Sequence, residues 1–132
     1  MNYIEAKVSD IKSVENLSIV SFEAEDTKLK MMSLSLNTKI SLGSKVRLGV
    51  KASSIALAKN LSGMISMSNQ LPCIVESINK GELLCSIKLR FNDALLESIT
   101  TLQSVIDMDI NEGDEILCLI KASELSILEV LS

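Results

Sequence analysis

At 132 residues the chain is long enough for one domain or for two very small ones, and half of it would bury little surface and be marginal on its own. A net charge of −4, only three aromatics (Tyr3, Phe22, Phe91) and no histidine exclude a basic nucleic-acid face, base-stacking platforms, most zinc or copper chemistry and the usual catalytic triads. The longest apolar run, Ile116-Leu117-Cys118-Leu119-Ile120, is far too short to span a bilayer, and Met1-Asn2-Tyr3-Ile4-Glu5 does not resemble a signal peptide, so a cytoplasmic chain without membrane contact is expected.

In chain order, residues 4–14 and 17–22 flank the turn-like Glu15-Asn16 and predict a hairpin. Residues 29–36 carry Met32, Leu34 and Leu36 in strict alternation, which predicts a third strand. Gly43-Ser44 marks a turn into a strand over 45–50, and a last short strand starts after Lys51-Ala52-Ser53. Asn60-Leu61-Ser62-Gly63 reads as a linker short enough to keep its flanking units in contact. Beyond it, 71–78 and 83–89 flank Asn79-Lys80-Gly81, a hairpin whose glycine can take positive φ, and a strand over 94–99 follows. Thr100 with Gln103 has capping-box spacing and, with Ser104-Val105-Ile106, predicts one short helix. Glu112-Gly113-Asp114 then turns into a strand over 115–120, and a final strand follows Lys121-Ala122-Ser123.

This order contains a repeat. Lys51-Ala52-Ser53 and Lys121-Ala122-Ser123 lie 70 residues apart, and the same offset places Gly43 on Gly113, Val46 on Ile116 and Val50 on Ile120. Near the start of each copy the offset is 67, matching Asn2 with Asn69, Ile4 with Leu71, Val8 with Val75 and Ile11 with Ile78, so copy two holds about three extra residues where its helix is predicted. The fold class expected is all-β: two tandem OB-like five-stranded small barrels, over residues 1–60 and 66–132, with a short helix in the second.

No enzyme signature is present. Cys73, Cys85 and Cys118 are widely spaced among aliphatic residues and read as small buried hydrophobes, and Glu23, Glu25 and Asp26 read as a solvated loop. What remains is a set of hydrogen-bond donors. Each Lys-Ala-Ser offers an ammonium, a hydroxyl and consecutive N–H groups at a turn; Ser66-Met67-Ser68-Asn69 offers more, and Thr100 adds a hydroxyl. Turns made only of donors suit a tetrahedral oxyanion. Each residue also has a structural reading: exposed lysines, serines that form turns, a threonine that caps a helix.

Copy two, from Ser66-Met67-Ser68-Asn69-Gln70-Leu71 through Ile99-Thr100 and Gly113 to Lys121-Ala122-Ser123, resembles the molybdate-binding Mop family, also called TOBE domains. Copy one carries the weaker part of the pattern, Asn2, Leu42-Gly43 and Lys51-Ala52-Ser53, and the doubled form is similar to the tandem molbindins. The resemblance implies a non-enzymatic cytoplasmic protein that binds molybdate or tungstate as its ligand, stores or buffers it, and assembles as a homo-oligomer, a trimer of tandem units. It implies oxyanion contacts at Ser66, Met67, Ser68, Thr100, Lys121, Ala122 and Ser123, with Lys51, Ala52 and Ser53 in copy one. Ser68 stands where the family has arginine, and copy one lacks the opening motif and a clear counterpart of Thr100. The alternative is a regulatory or oligomerisation module of a molybdate system that has lost strong oxyanion binding.

Overall fold

The computed structural model describes residues Met1–Ser132. In the first copy, β1 (Asn2–Val14), β2 (Leu17–Ala24) and β3 (Thr27–Leu34) form an antiparallel meander, followed by β4 (Lys45–Val50) and the very short β5 (Ala56–Ala58). The second copy repeats this with β6 (Asn69–Lys80), β7 (Leu84–Phe91), β8 (Ala94–Thr101), the helix α1 (Leu102–Asp107), β9 (Glu115–Ile120) and β10 (Ser126–Val130).

Strict alternation builds the long first strands. In β1 the residues Asn2, Ile4, Ala6 and Val8 are buried and their neighbours exposed; in β6 Asn69, Leu71, Cys73 and Val75 do the same. Both strands are then interrupted by a bulge at the same place, after Val8 and after Val75. There the main chain of Val8 bonds Gly43 and Ser44, and that of Val75 bonds Gly113 and Asp114. Gly43 and Gly113 each sit at φ 86, a conformation that disfavours any side chain, which explains why the glycine recurs eight residues before each lysine.

Each sheet takes its fifth strand from the other copy. The strand orders are β10-β4-β1-β2-β3 and β5-β9-β6-β7-β8, so β5 of copy one pairs with β9, and β10 of copy two pairs with β4. The expected closed barrels do not form. These fifth strands, three and five residues long, each pair on one side only, leaving β3 and β10 as open edges of one sheet and β5 and β8 as open edges of the other. A single core of 27 buried residues runs through both sheets, so the two small units share one interior.

The third strand forms where its alternation predicts it, and two local expectations, at Gly81 and at the helix cap, change. Met32 and Leu34 alternate on the outer face (51% and 68% exposed), while Leu29 and Met31 are the inward pair of β3. The hairpin glycine Gly81 is absent from the positive-φ residues; it is required for space, since a Cβ there would lie 2.8 Å from the Leu84 carbonyl oxygen. The capping box is displaced by one residue. Thr101 caps α1, its Oγ1 accepting from the Ser104 N–H at 3.2 Å, while Gln103 turns to Asp107 and Thr100 stays in β8 opposite Cys85.

The three cysteines are at most 3% exposed, and a hydrogen bond that the Cys118 thiol donates to Cys73, with burial, pushes that thiol up. No thiol is expected to react with a disulfide reagent such as Ellman's in the folded protein, and all three in denaturant; reaction of one thiol under native conditions would show that the core opens there.

Candidate functional site

The two Lys-Ala-Ser segments are the crossovers of the strand exchange. The chain leaves β4 at Val50, passes through Lys51 and a 3-10 turn at Ala52–Ser54, and enters β5 in the other sheet. It leaves β9 at Ile120, passes through Lys121 and the turn Ala122–Glu124, and returns as β10. The lysines have nearly the same backbone (φ −71, ψ 144 and φ −66, ψ 147), and their carbonyls accept from Ser54 and Glu124 at 2.9 and 3.0 Å. The two crossovers meet where the Ser54 hydroxyl bonds the Glu124 carboxylate at 3.1 Å, at equivalent positions of the two copies.

Both lysines are exposed and neither makes an ion pair. The N–H groups that open each turn, on Ala52 and Ser53 and on Ala122 and Ser123, have no earlier carbonyl within the turn to bond. Each crossover therefore presents a free ammonium, a serine hydroxyl and main-chain donors together.

What lies beside each turn comes from the opposite copy. The first turn packs on β8, where the buried Ser98 hydroxyl donates to the Ile55 carbonyl at 2.7 Å and the half-buried Thr100 is the next residue on the same face. The second turn packs on β3. Thr100 thus lies on the strand against which the first turn packs, on the same face as Ser98. At the second turn its place is taken by Ser33: Ser18 pairs with Ser33 as Cys85 pairs with Thr100, both 67 residues on. Copy one does have a counterpart of Thr100, and extending the 67-residue offset past Ile11 would have found it; the missing helix hid it.

Ser33 and Ser123 share a cavity of about 470 Å³ whose other walls include Asn37, Met31, Leu36 and Ile40. Ser66, Met67 and Ser68 lie just before β6, and because Asn69 pairs with Ile120, Ser68 and Lys121 leave the sheet side by side. In copy one the residue before Asn2, beside Lys51, is Met1, where copy two has Ser68.

The sequence marks Asn2 and Asn69 as equivalent positions of the repeat and counts Asn69 among the donors that open copy two. Structurally they are clamps between sheets. The Asn69 amide accepts from the Lys30 N–H at 2.6 Å and donates to the Lys30 carbonyl at 2.9 Å; Asn2 makes the same pair with Glu97, both at 2.8 Å. Lys30 and Glu97 correspond at the 67-residue offset. Each clamp fixes the open edge of β3 or β8 three residues before Ser33 or Thr100.

Lys59, after β5, bonds the Asp109 carbonyl and reaches the Asp114 carboxylate at 3.2 Å. The Asn111 N–H and then Lys59 hold the Asp114 carboxyl below its ordinary value. A lowered carboxyl favours the folded state above its unfolded value, and that contribution is lost as pH falls through the lowered one. Acidification below about pH 4 is therefore expected to loosen the 109–114 loop first. Amide exchange in that loop, compared with Asp114→Asn, checks this; a loop whose acid response is unchanged in the variant would contradict it.

Residues 65–127 match the TOBE domain family. The chain is 35% identical over 78 residues to the molybdenum import ATP-binding protein ModC of Brucella abortus and equally to that of Brucella suis, and the matched part spans 22% of those proteins. Its fold superposes on the cytoplasmic molybdate-binding protein ModG with molybdate bound (TM-score 0.88, 21% identity, 96% of this chain and 94% of that one). A molybdate-binding protein from Sporomusa ovata is 33% identical and is covered over its whole length by 51% of this chain, at a TM-score of 0.50. The chain belongs to the TOBE domain family.

Proposed function

We propose that this protein is a non-enzymatic, cytoplasmic binder of molybdate or tungstate that stores or buffers the oxyanion as a homo-oligomer, a trimer of tandem units in the family manner. The observation that carries the reading is the pair of crossover turns, each offering an unpaired lysine, a serine hydroxyl and main-chain N–H groups that no carbonyl within the turn takes, with a second hydroxyl on the strand of the opposite copy against which the turn packs. Molybdate is a fully deprotonated dianion at neutral pH, so a site made only of donors suits it; phosphate keeps a proton for part of its population and wants an acceptor. Relatives that bind molybdate, ModG and the Sporomusa protein, support the choice of ion.

The proposed contacts are Lys51, Ala52, Ser53 and Thr100 around the first turn, and Lys121, Ala122, Ser123, Ser66, Met67 and Ser68 around the second, to which the fold adds Ser33. The outer apolar residues Leu17, Met32, Leu34, Leu84 and Ile99, 39–68% exposed, support burial against further copies. Protein purified from cells grown with excess molybdate is expected to carry molybdenum and to have the mass of an oligomer. A metal-free monomer under those conditions would overturn the reading.

A second reading, an assembly or sensing module without strong binding, is favoured by Ser68 in place of the family's arginine and by the Glu124 carboxylate beside the second turn. It predicts a folded oligomer that binds neither oxyanion until Ser68→Arg is introduced.

A further inference from the structure

We infer that the edge of β4 is a selective interaction surface whose fitting partner is the C-terminal strand β10, and that size and charge exclude β5 from that place, so the two copies are committed to exchange.

Size is the first selector. A Cβ on Gly49 would lie 2.5, 2.7 and 3.0 Å from Cδ1, Cγ and Cδ2 of Leu128, so the whole head of that leucine rests on bare backbone. Leu128 is the extra residue of a bulge, between Ile127 opposite Leu48 and Glu129 opposite Arg47. Seventy residues on, the place of Gly49 in β9 is held by the buried Leu119, and the strand beside it is Ala56-Leu57-Ala58, with no bulge. One sheet thus pairs a large side chain with none, and the other pairs small ones with a leucine. Transposing the strands would drive Leu128 into Leu119 and leave Gly49 covered by an alanine.

Charge is the second. Glu129 meets Arg47 at 2.7 Å, in register across β10 and β4. At the corresponding place in the other sheet Ala58 lies opposite Leu117, and the following residue, Lys59, takes the Asp114 carboxylate at 3.2 Å. With β5 on β4, Arg47 would lose Glu129 and gain a lysine nearby, and Lys59 would find Ser44 where it now has Asp114. With β10 on β9, Glu129 would face Leu117 while Asp114 lost its lysine. Exposed pairs contribute little stability alone, but like charges brought together and a steric clash both act against the wrong pairing.

The test uses the full-length chain and backbone hydrogen exchange over residues 126–132, whose amides include Leu131 bonded to the Lys45 carbonyl at 2.7 Å. Ser126→Ala with Ile127→Leu, which leaves both selectors in place, is expected to keep exchange within about threefold of the parent. Adding Leu128→Ala and Glu129→Lys, which gives β10 the identity of β5, is expected to speed exchange at least tenfold and release the strand. A separate charge arm, Arg47→Glu and Glu129→Arg, avoids the core: each single variant is expected to speed exchange and the double variant to recover protection. A fourfold variant as protected as the parent, or a charge-reversed double no better than its singles, would overturn the inference.

Discussion

Asn69→Ala is expected to lower the melting temperature by roughly 10 °C. The side chain is fully buried and makes two hydrogen bonds to the main chain of Lys30, across from one sheet to the open edge of the other. Removing it deletes both bonds and leaves an N–H and a carbonyl with no partner in the protein, each costing about 1–3 kcal/mol where water does not replace the amide. A net loss of about 2–3 kcal/mol in a chain of this size corresponds to that shift. Asn69→Asp is expected to do no better, because a carboxylate would face the Lys30 carbonyl it cannot bond. Asn2→Ala removes the equivalent clamp on Glu97 and should behave alike. Thermal unfolding followed by circular dichroism measures all three, and falls below about 2 °C would show that the clamps do not hold the sheets together.

The second large effect is on binding. Lys121→Ala is expected to weaken molybdate affinity about 10- to 100-fold, the value of one charge-assisted hydrogen bond to a dianion at about 1.5–3 kcal/mol. Stability should hardly change, because Lys121 is exposed and unpaired. Lys51→Ala should act in the same way on the sites that use the first turn, and the double variant should leave no measurable uptake. Ser33→Ala separates this account from one based on copy two alone. It is expected to weaken binding at the second turn by several-fold, since Ser33 stands there as Thr100 does at the first. Titration of each variant checks these effects. Unaltered affinity in the double lysine variant would remove both turns from the site.

Much of this was legible in the chain. Alternation and turn residues located the strands, and the doubled Lys-Ala-Ser with its upstream glycine exposed the duplication, because the bulge that needs Gly43 and Gly113 is built the same way twice. The exchange was not legible. Pairing β10 with β4 depends on Gly49, Leu128, Arg47 and Glu129, residues far apart in sequence whose complementarity only appears once the strands are side by side. For the same reason the sequence did not say which crossover turn packs on β8 and which on β3. The capping error came from a strand that runs one residue further than the helix signal implied, so that Thr101 rather than Thr100 meets Ser104. Ser33 went unseen because it was sought beside a helix that copy one does not have.

The central claim is that the two crossover turns form oxyanion sites. Equilibrium titration of the folded, metal-free protein with molybdate, with sulfate and phosphate as controls, tests it most directly. Saturable binding of molybdate at one or more ions per chain, lost in Lys51→Ala with Lys121→Ala and weak or absent for phosphate, is the predicted result. A folded protein that takes up no molybdate and no tungstate, or that binds them equally well without the two lysines, would contradict it.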